Sequence, residues 1–83
     1  MYKTILDKNA IKFLNTLPKD KSQRIVEKLT IAQNNPSQFF ERLSGRQDYK
    51  LRVGKYRVIA DINKKEELIE ITKIDLRKKV YKK

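Results

Sequence analysis

The chain of 83 residues has no cysteine, no histidine and no tryptophan, and only two glycines and two prolines. Each absence removes a class of chemistry. Without cysteine there is neither a disulfide framework nor a thiolate metal site, and a reducing compartment, the cytoplasm, is the expected location. Without histidine there is no imidazole acid–base pair, no Ser-His-Asp triad and no His-ligated zinc. Gly45 and Gly54 are too few to form a glycine-rich phosphate loop. The acidic residues are scattered and mostly interleaved with lysines, which argues against a two-metal nuclease, so no metal or cofactor is expected. No stretch of about eighteen apolar residues occurs, and the opening MYKTILDKNAIKF lacks a continuous apolar run with a small-residue cleavage site. Neither a membrane span nor a secretion signal is expected.

What the chain has in excess is positive charge. Lys and Arg number 21 against 10 Asp and Glu, a net charge of +11. Such a field favours polyanions, because neutralising phosphates releases their counterions. The excess is uneven: residues 1–41 carry +3 and residues 42–83 carry +8. A thermophile's surface can also be rich in charge, but that habit enriches both signs together and does not account for a one-sided excess. Apolar residues make up 39% of the chain. At this length about 60–65% of the unfolded surface is buried on folding, enough for a thin core without a large internal pocket. One domain over residues 1–83 is expected, with any site on the surface or in a shallow groove.

Apolar spacing gives the order of elements. Tyr2 to Leu6 is a short strand candidate, and Asp7 is placed to cap a helix over Lys8 to Thr16 with Ala10, Phe13, Leu14 and Leu17 at helical spacing. Pro18 ends that helix and can occupy the first turn of a second, running to about Asn34 with Ile25, Val26, Leu29 and Ala32 as its buried stripe. NNPSQFFERLSGRQD is the longest irregular stretch, in which Phe39, Phe40 and Leu43 anchor a loop or helical turn. From Tyr49 the period becomes two. A two-residue turn at Gly54-Lys55 sets Val53 opposite Tyr56, Arg52 opposite Arg57, Leu51 opposite Val58 and Lys50 opposite Ile59. A second turn at Asn63 to Lys65 leads into ELIEITKI, where Ile69 and Ile71 match the core face. The tail LRKKVYKK is strongly basic. The expected class is α+β: two N-terminal helices packed on a small antiparallel sheet, in the order β-α-α-β-β-β, followed by the basic tail.

In this register Tyr49, Leu51, Val53, Tyr56, Val58 and Ala60 share the face toward the helices, and Lys50, Arg52 and Arg57 share the other. Like charges directly opposed on a sheet are destabilising by about 0.2–1 kcal/mol per pair. The plain alternative is a solvated face whose long side chains splay apart, with Glu70 or Asp61 as counter-charge. Three cations on a face whose reverse is core, together with a basic tail, point instead to a phosphate site, since an arginine fork donates two bonds at once. RNA can be cut without metal or histidine, because its own 2′-hydroxyl can serve as nucleophile. The protein then supplies a base, charge for the pentavalent phosphate and help for the leaving oxygen. Lys50 can be the base where Arg52 and Arg57 beside it favour its neutral form, and the arginines can hold the developing charge. Tyr81 can stack on a base or donate a hydrogen bond, or else pin the tail beside Val80. Lys55, Lys73, Lys78, Lys79 and Lys82 are candidate contacts to RNA phosphates.

The element order, the segment YKLRVGKYRVIADI after an LSG loop and the closing LRKKVY resemble the RelE/ParE toxin superfamily of type II toxin–antitoxin systems, and more closely its RelE branch. The resemblance spans almost the whole chain. It implies a ribosome-dependent endoribonuclease, an mRNA interferase that cuts messenger in the A site and leaves a 2′,3′-cyclic phosphate. It also implies catalytic roles for Lys50, Arg52, Arg57, Arg77 and Tyr81, with Arg77 the arginine before the terminal tyrosine. The implied partners are the ribosome, its messenger and a RelB-like antitoxin, commonly in a heterotetramer that reaches operator DNA through the antitoxin. One departure stands out: some members carry a further arginine just upstream of the Arg77 position, where this chain has Ile74 or Asp75. Two other readings remain open on the residues, a ParE-like inhibitor that binds DNA gyrase and a basic module that grips RNA without cutting it.

Overall fold

Helical periodicity gives way to alternation at Tyr49, and the architecture changes at the same place. The computed structural model describes residues 1–43 and 48–76. Its elements are β1 (Lys3–Leu6), α1 (Lys8–Asn15), α2 (Lys19–Asn34), α3 (Pro36–Phe39), β2 (Glu41–Arg42), β3 (Tyr49–Val53), β4 (Tyr56–Asn63) and β5 (Leu68–Leu76). The strands form one sheet in the order β1-β5-β4-β3-β2. The α+β class and the β3-β4-β5 meander are as expected. The sheet is mixed rather than wholly antiparallel, because β1 lies parallel to β5, with Lys3 opposite Leu68 and Leu6 opposite Ile71. In its described part, the long irregular stretch holds the single turn of α3, started by the buried Pro36, and the two-residue strand β2, which pairs with the start of β3.

Asp7 stands at the N-terminal boundary of α1 with extended backbone, but its side chain makes no capping hydrogen bond. Its backbone N–H donates to the Ile71 carbonyl at 2.9 Å, so the residue still belongs to the β1–β5 ladder while its own carbonyl accepts from Ile11 N–H. Thr16 closes α1, its hydroxyl donating to the Phe13 carbonyl at 2.7 Å. Pro18 precedes α2 rather than lying in its first turn, and its carbonyl accepts from the N–H groups of Lys21 and Ser22. In α2, Ile25, Leu29 and Ala32 are buried, whereas Val26, expected on the same stripe, is 46% exposed. Residues at i, i+4 and i+7 make a narrow line, and a position one residue on is turned about 100° away from it.

The core joins these helices to one face of the sheet. Ala10, Ile25, Leu29, Ala32 and Phe40 pack with Leu51, Val53, Val58, Ala60, Ile69, Ile71 and Ile74, with Phe13, Leu14, Leu17, Tyr49 and Tyr56 half-buried around them. Phe13 and Tyr56 meet edge to face at 6.1 Å between ring centroids. The hairpin register is the expected one at all four pairs named above. Gly54 takes φ +59°, in the left-handed region that a side chain resists, which is why the turn needs glycine there. The second turn is longer than expected: Asn63 still pairs with Leu68, and the Asn63 side-chain oxygen accepts from Glu66 N–H at 3.0 Å.

A bulge interrupts β5. Ile59 opposes Lys73 and Ala60 opposes Ile71, which leaves Thr72 as an additional residue, its hydroxyl reaching the Ile59 carbonyl at 3.4 Å. The bulge resets the alternation, so Ile69 and Ile71 point to the core before it and Ile74 after it. Lys73 and Asp75 are thereby turned to the outer face.

Candidate nucleic-acid interface

The outer face of the sheet carries the candidate residues, and its rows follow from pairing. One row runs Arg52, Arg57, Asp75 across β3, β4 and β5; the next runs Lys50, Ile59, Lys73. Glu41 on β2 lies opposite Lys50. Lys55 is exposed in the turn that joins β3 and β4. Four cations, Lys50, Arg52, Arg57 and Lys73, therefore share one patch around the half-buried Ile59.

The patch also holds acid, from residues other than the expected Glu70 and Asp61. The Asp75 carboxylate accepts from Arg57 Nε at 3.3 Å and from Arg57 Nη2 at 3.1 Å, and Lys73 Nζ lies 3.7 Å from the same carboxylate. Glu41 stands 3.9 Å from Lys50 Nζ. Asp75 thus offsets the repulsion between the facing Arg52 and Arg57. It was missed in sequence because only the bulge at Thr72 brings it to this face. Arg52 is exposed and makes no hydrogen bond or ion pair among the described residues. Its fork remains open to solvent. The side chains of Lys28, Phe39, Glu41, Lys50 and Arg52 also line a groove of about 300 Å³ beside β2, so the cationic surface continues around this edge of the sheet.

Asp61 and Glu70, the expected counter-charges, play another part. They oppose each other near the other end of β4 and β5. Asp7, hydrogen-bonded to Glu70 and like-charged with it, holds the Glu70 carboxyl above its ordinary value, and partial desolvation and the charge of Asp61 act in the same direction. A carboxyl raised on folding binds its proton more readily in the folded chain than in the unfolded one. Its contribution is therefore fully present below the unfolded value and is lost as pH rises through the folded value. Replacing Glu70 with Gln should raise the melting temperature at neutral pH, and the advantage should shrink on acidification through the carboxylate range. Thermal melts of both chains between pH 3 and pH 7 check this, and a constant difference would contradict it.

Of the residues named from sequence, Lys50, Arg52, Arg57 and Lys73 lie together on the outer face and Lys55 beside them at the hairpin turn. Arg77, Lys78, Lys79, Tyr81 and Lys82 lie outside the described residues. Among the described residues no group of three or more acidic side chains is placed to hold a metal ion, and no helix is long and apolar enough to cross a membrane.

The chain matches the family model described as the ParE toxin of the type II toxin–antitoxin system parDE over residues 5–81. No curated protein matches its sequence. Among solved structures it is similar to the archaeal RelE–RelB complex from Pyrococcus horikoshii OT3, at 30% identity over 94% of this chain and 97% of the other, with a TM-score of 0.77. The fold also matches a chain of the RelBE2 toxin–antitoxin complex from Mycobacterium tuberculosis, at 22% identity, 92% and 98% coverage and a TM-score of 0.84. A chain of the intact RelBE complex of E. coli matches at 20% identity, 92% and 96% coverage and a TM-score of 0.76. A family match over nearly the whole chain, beside a solved relative at 30% identity that covers 94% of it, establishes that the chain belongs to the RelE/ParE superfamily of toxins of type II toxin–antitoxin systems.

Proposed function

We propose that this toxin is a ribosome-dependent endoribonuclease that cuts messenger in the A site and so inhibits translation. The observation that carries the reading is the convergence of Lys50, Arg52, Arg57 and Lys73 on one outer face whose reverse is core. In the step proposed, the 2′-oxygen of a ribose attacks the adjacent phosphorus as its proton leaves to a base. The bond from phosphorus to the 5′-oxygen breaks, and the 5′-oxygen takes up a proton. The products are a 2′,3′-cyclic phosphate and a 5′-hydroxyl. Arg52 and Arg57 hold the negative charge that grows on the pentavalent phosphate. Lys50, with the Glu41 carboxylate 3.9 Å from its Nζ, adds positive charge at the same phosphate. Arg77 and Tyr81 complete the set by resemblance, the tyrosine stacking on a base or donating a hydrogen bond, and Lys55, Lys73, Lys78, Lys79 and Lys82 grip flanking phosphates.

Several of the similar solved structures are complexes of RelE with RelB, which supports a RelB-like antitoxin as the partner of this chain; a heterotetramer that reaches operator DNA through the antitoxin is what the resemblance implies. An antitoxin acidic enough to meet a +11 chain would mask the face by charge.

The test is cleavage of messenger on a programmed ribosome, with ends mapped by primer extension and wild type beside Tyr81→Phe. The expected result is cuts within the A-site codon, slowed in the tyrosine variant. Intact messenger with a folded wild-type chain would rule the nuclease out. Because the matching family model is that of ParE, the second reading is inhibition of DNA gyrase by binding, and a supercoiling assay would then be decisive.

A further inference from the structure

The arginine at the centre of the cationic face already has an anion on it. Arg57 presents Nε and Nη2 to the two oxygens of Asp75, at 3.3 and 3.1 Å, and this two-point engagement is how a guanidinium also grips a phosphate. The same carboxylate draws in Lys73, at 3.7 Å. One side chain thus occupies two of the four cations of the patch. The pairing is not buried: Arg57 is 43% and Asp75 26% exposed at the side chain. Ion pairs this open to water are weak and exchange readily, so a competing anion can take the position.

We infer that Asp75 is an internal anion that competes with an RNA phosphate for Arg57 and Lys73, and so sets the affinity of this face for RNA. The inference rests on the reading of the face as an RNA site. A phosphate arriving at Arg57 must displace the carboxylate from the Nε–Nη2 edge, and the displaced carboxylate then stands close to it as a like charge. Both effects oppose binding. The geometry depends on the bulge at Thr72, which turns Asp75 outward and opposite Arg57. Asp75 is a tuning residue and needs no contact with the reacting atoms.

The test uses the full chain and a single-stranded messenger segment with 2′-O-methyl riboses, which 2′-hydroxyl attack cannot cut. Affinity is read by fluorescence anisotropy over a range of salt. Asp75→Asn is expected to bind about fivefold more tightly than wild type. Its dependence on salt should steepen by about 0.7 in log–log slope, as one more phosphate is neutralised on a single strand. Asp61→Asn removes the same charge farther along the face, and its gain should stay below about twofold because salt screens it. In an Arg57→Ala background the gain from Asp75→Asn should also fall below about twofold, since the competitor then has lost its principal object. Melting curves accompany each variant, and Asp75→Ser repeats the test should the asparagine variant melt early.

An affinity for Asp75→Asn equal to or weaker than wild type overturns the inference, as does a gain that Asp61→Asn matches. In those cases RNA binding by wild type leaves the functional reading standing. No binding by any chain at low salt removes that reading and this inference together.

Discussion

Arg57→Ala will slow cutting of A-site messenger by about 10²- to 10³-fold, the loss seen when one preorganised donor to a developing oxyanion is removed, while RNA binding falls by less than about tenfold. The separation follows from where Arg57 stands. It is the middle member of the row Arg52, Arg57, Asp75, held by pairing on both sides. Its guanidinium rests on Asp75 through Nε and Nη2, the edge that an arriving phosphate would take over. On the proposed nuclease reading, a group so placed acts on the charge that appears in the transition state, whereas ground-state attraction for RNA is shared among many cations of a +11 chain. Stability should change by no more than about 1 kcal/mol, because the ion pair that is lost is partly exposed. Single-turnover cleavage on programmed ribosomes, beside binding of an uncleavable segment, measures both quantities. Cleavage that survives the substitution would remove Arg57 from the site. Binding losses of similar size at every lysine and arginine, with no cutting in wild type, would identify a module that only grips RNA.

Inserting one alanine after Thr72 will destabilise the protein by at least about 3 kcal/mol, or release the end of β5 from the sheet. With one residue more than the bulge at Thr72 takes up, the alternation beyond Ile71 runs out of phase. Ile74 would turn to solvent, losing about 2–3 kcal/mol of burial. Lys73 and Asp75 would turn toward the core, where an unpaired charge costs several kcal/mol more. The chain can avoid that cost by fraying, which would expose the amides of residues 73–76 and Val58 to exchange. Thr72→Ala retains the residue count and should cost less than about 1 kcal/mol, since it removes only a 3.4 Å contact to the Ile59 carbonyl. Denaturant unfolding and amide hydrogen exchange of the two variants make the comparison. An insertion variant as stable as wild type would show that the residue count between Ile71 and Lys73 does not set the face of Lys73 and Asp75.

The comparison between the two arginines and the aspartate explains how much of the site was legible before the fold. The pairing and shared face of Arg52 and Arg57 were legible because a two-residue turn and strict alternation are local rules: Gly54 sets the register, and register sets the face. Lys50 and its core-facing neighbours followed from the same rule. Asp75 and Glu41 did not, because each reaches the patch from a different strand. Glu41 arrives on β2, whose two residues carry no strand signal of their own, and Asp75 arrives through a bulge that alternation cannot foresee. The expected counter-charges, Asp61 and Glu70, were the right residue types on the right face but toward the other end, where with Asp7 they repel one another.

The same division holds for the fold. The sequence by itself determined the two helices, the hairpin and its register, the positive charge of the C-terminal half and the exclusion of histidine and thiolate chemistry, all properties of composition or of neighbours within a few residues. Only the tertiary structure decided that β1 lies parallel to β5 across more than sixty residues of chain, that Val26 is left exposed, and that one carboxylate faces Arg57. These depend on which surfaces meet once the core closes, and backbone pairing at such separation leaves no local trace in the order of side chains.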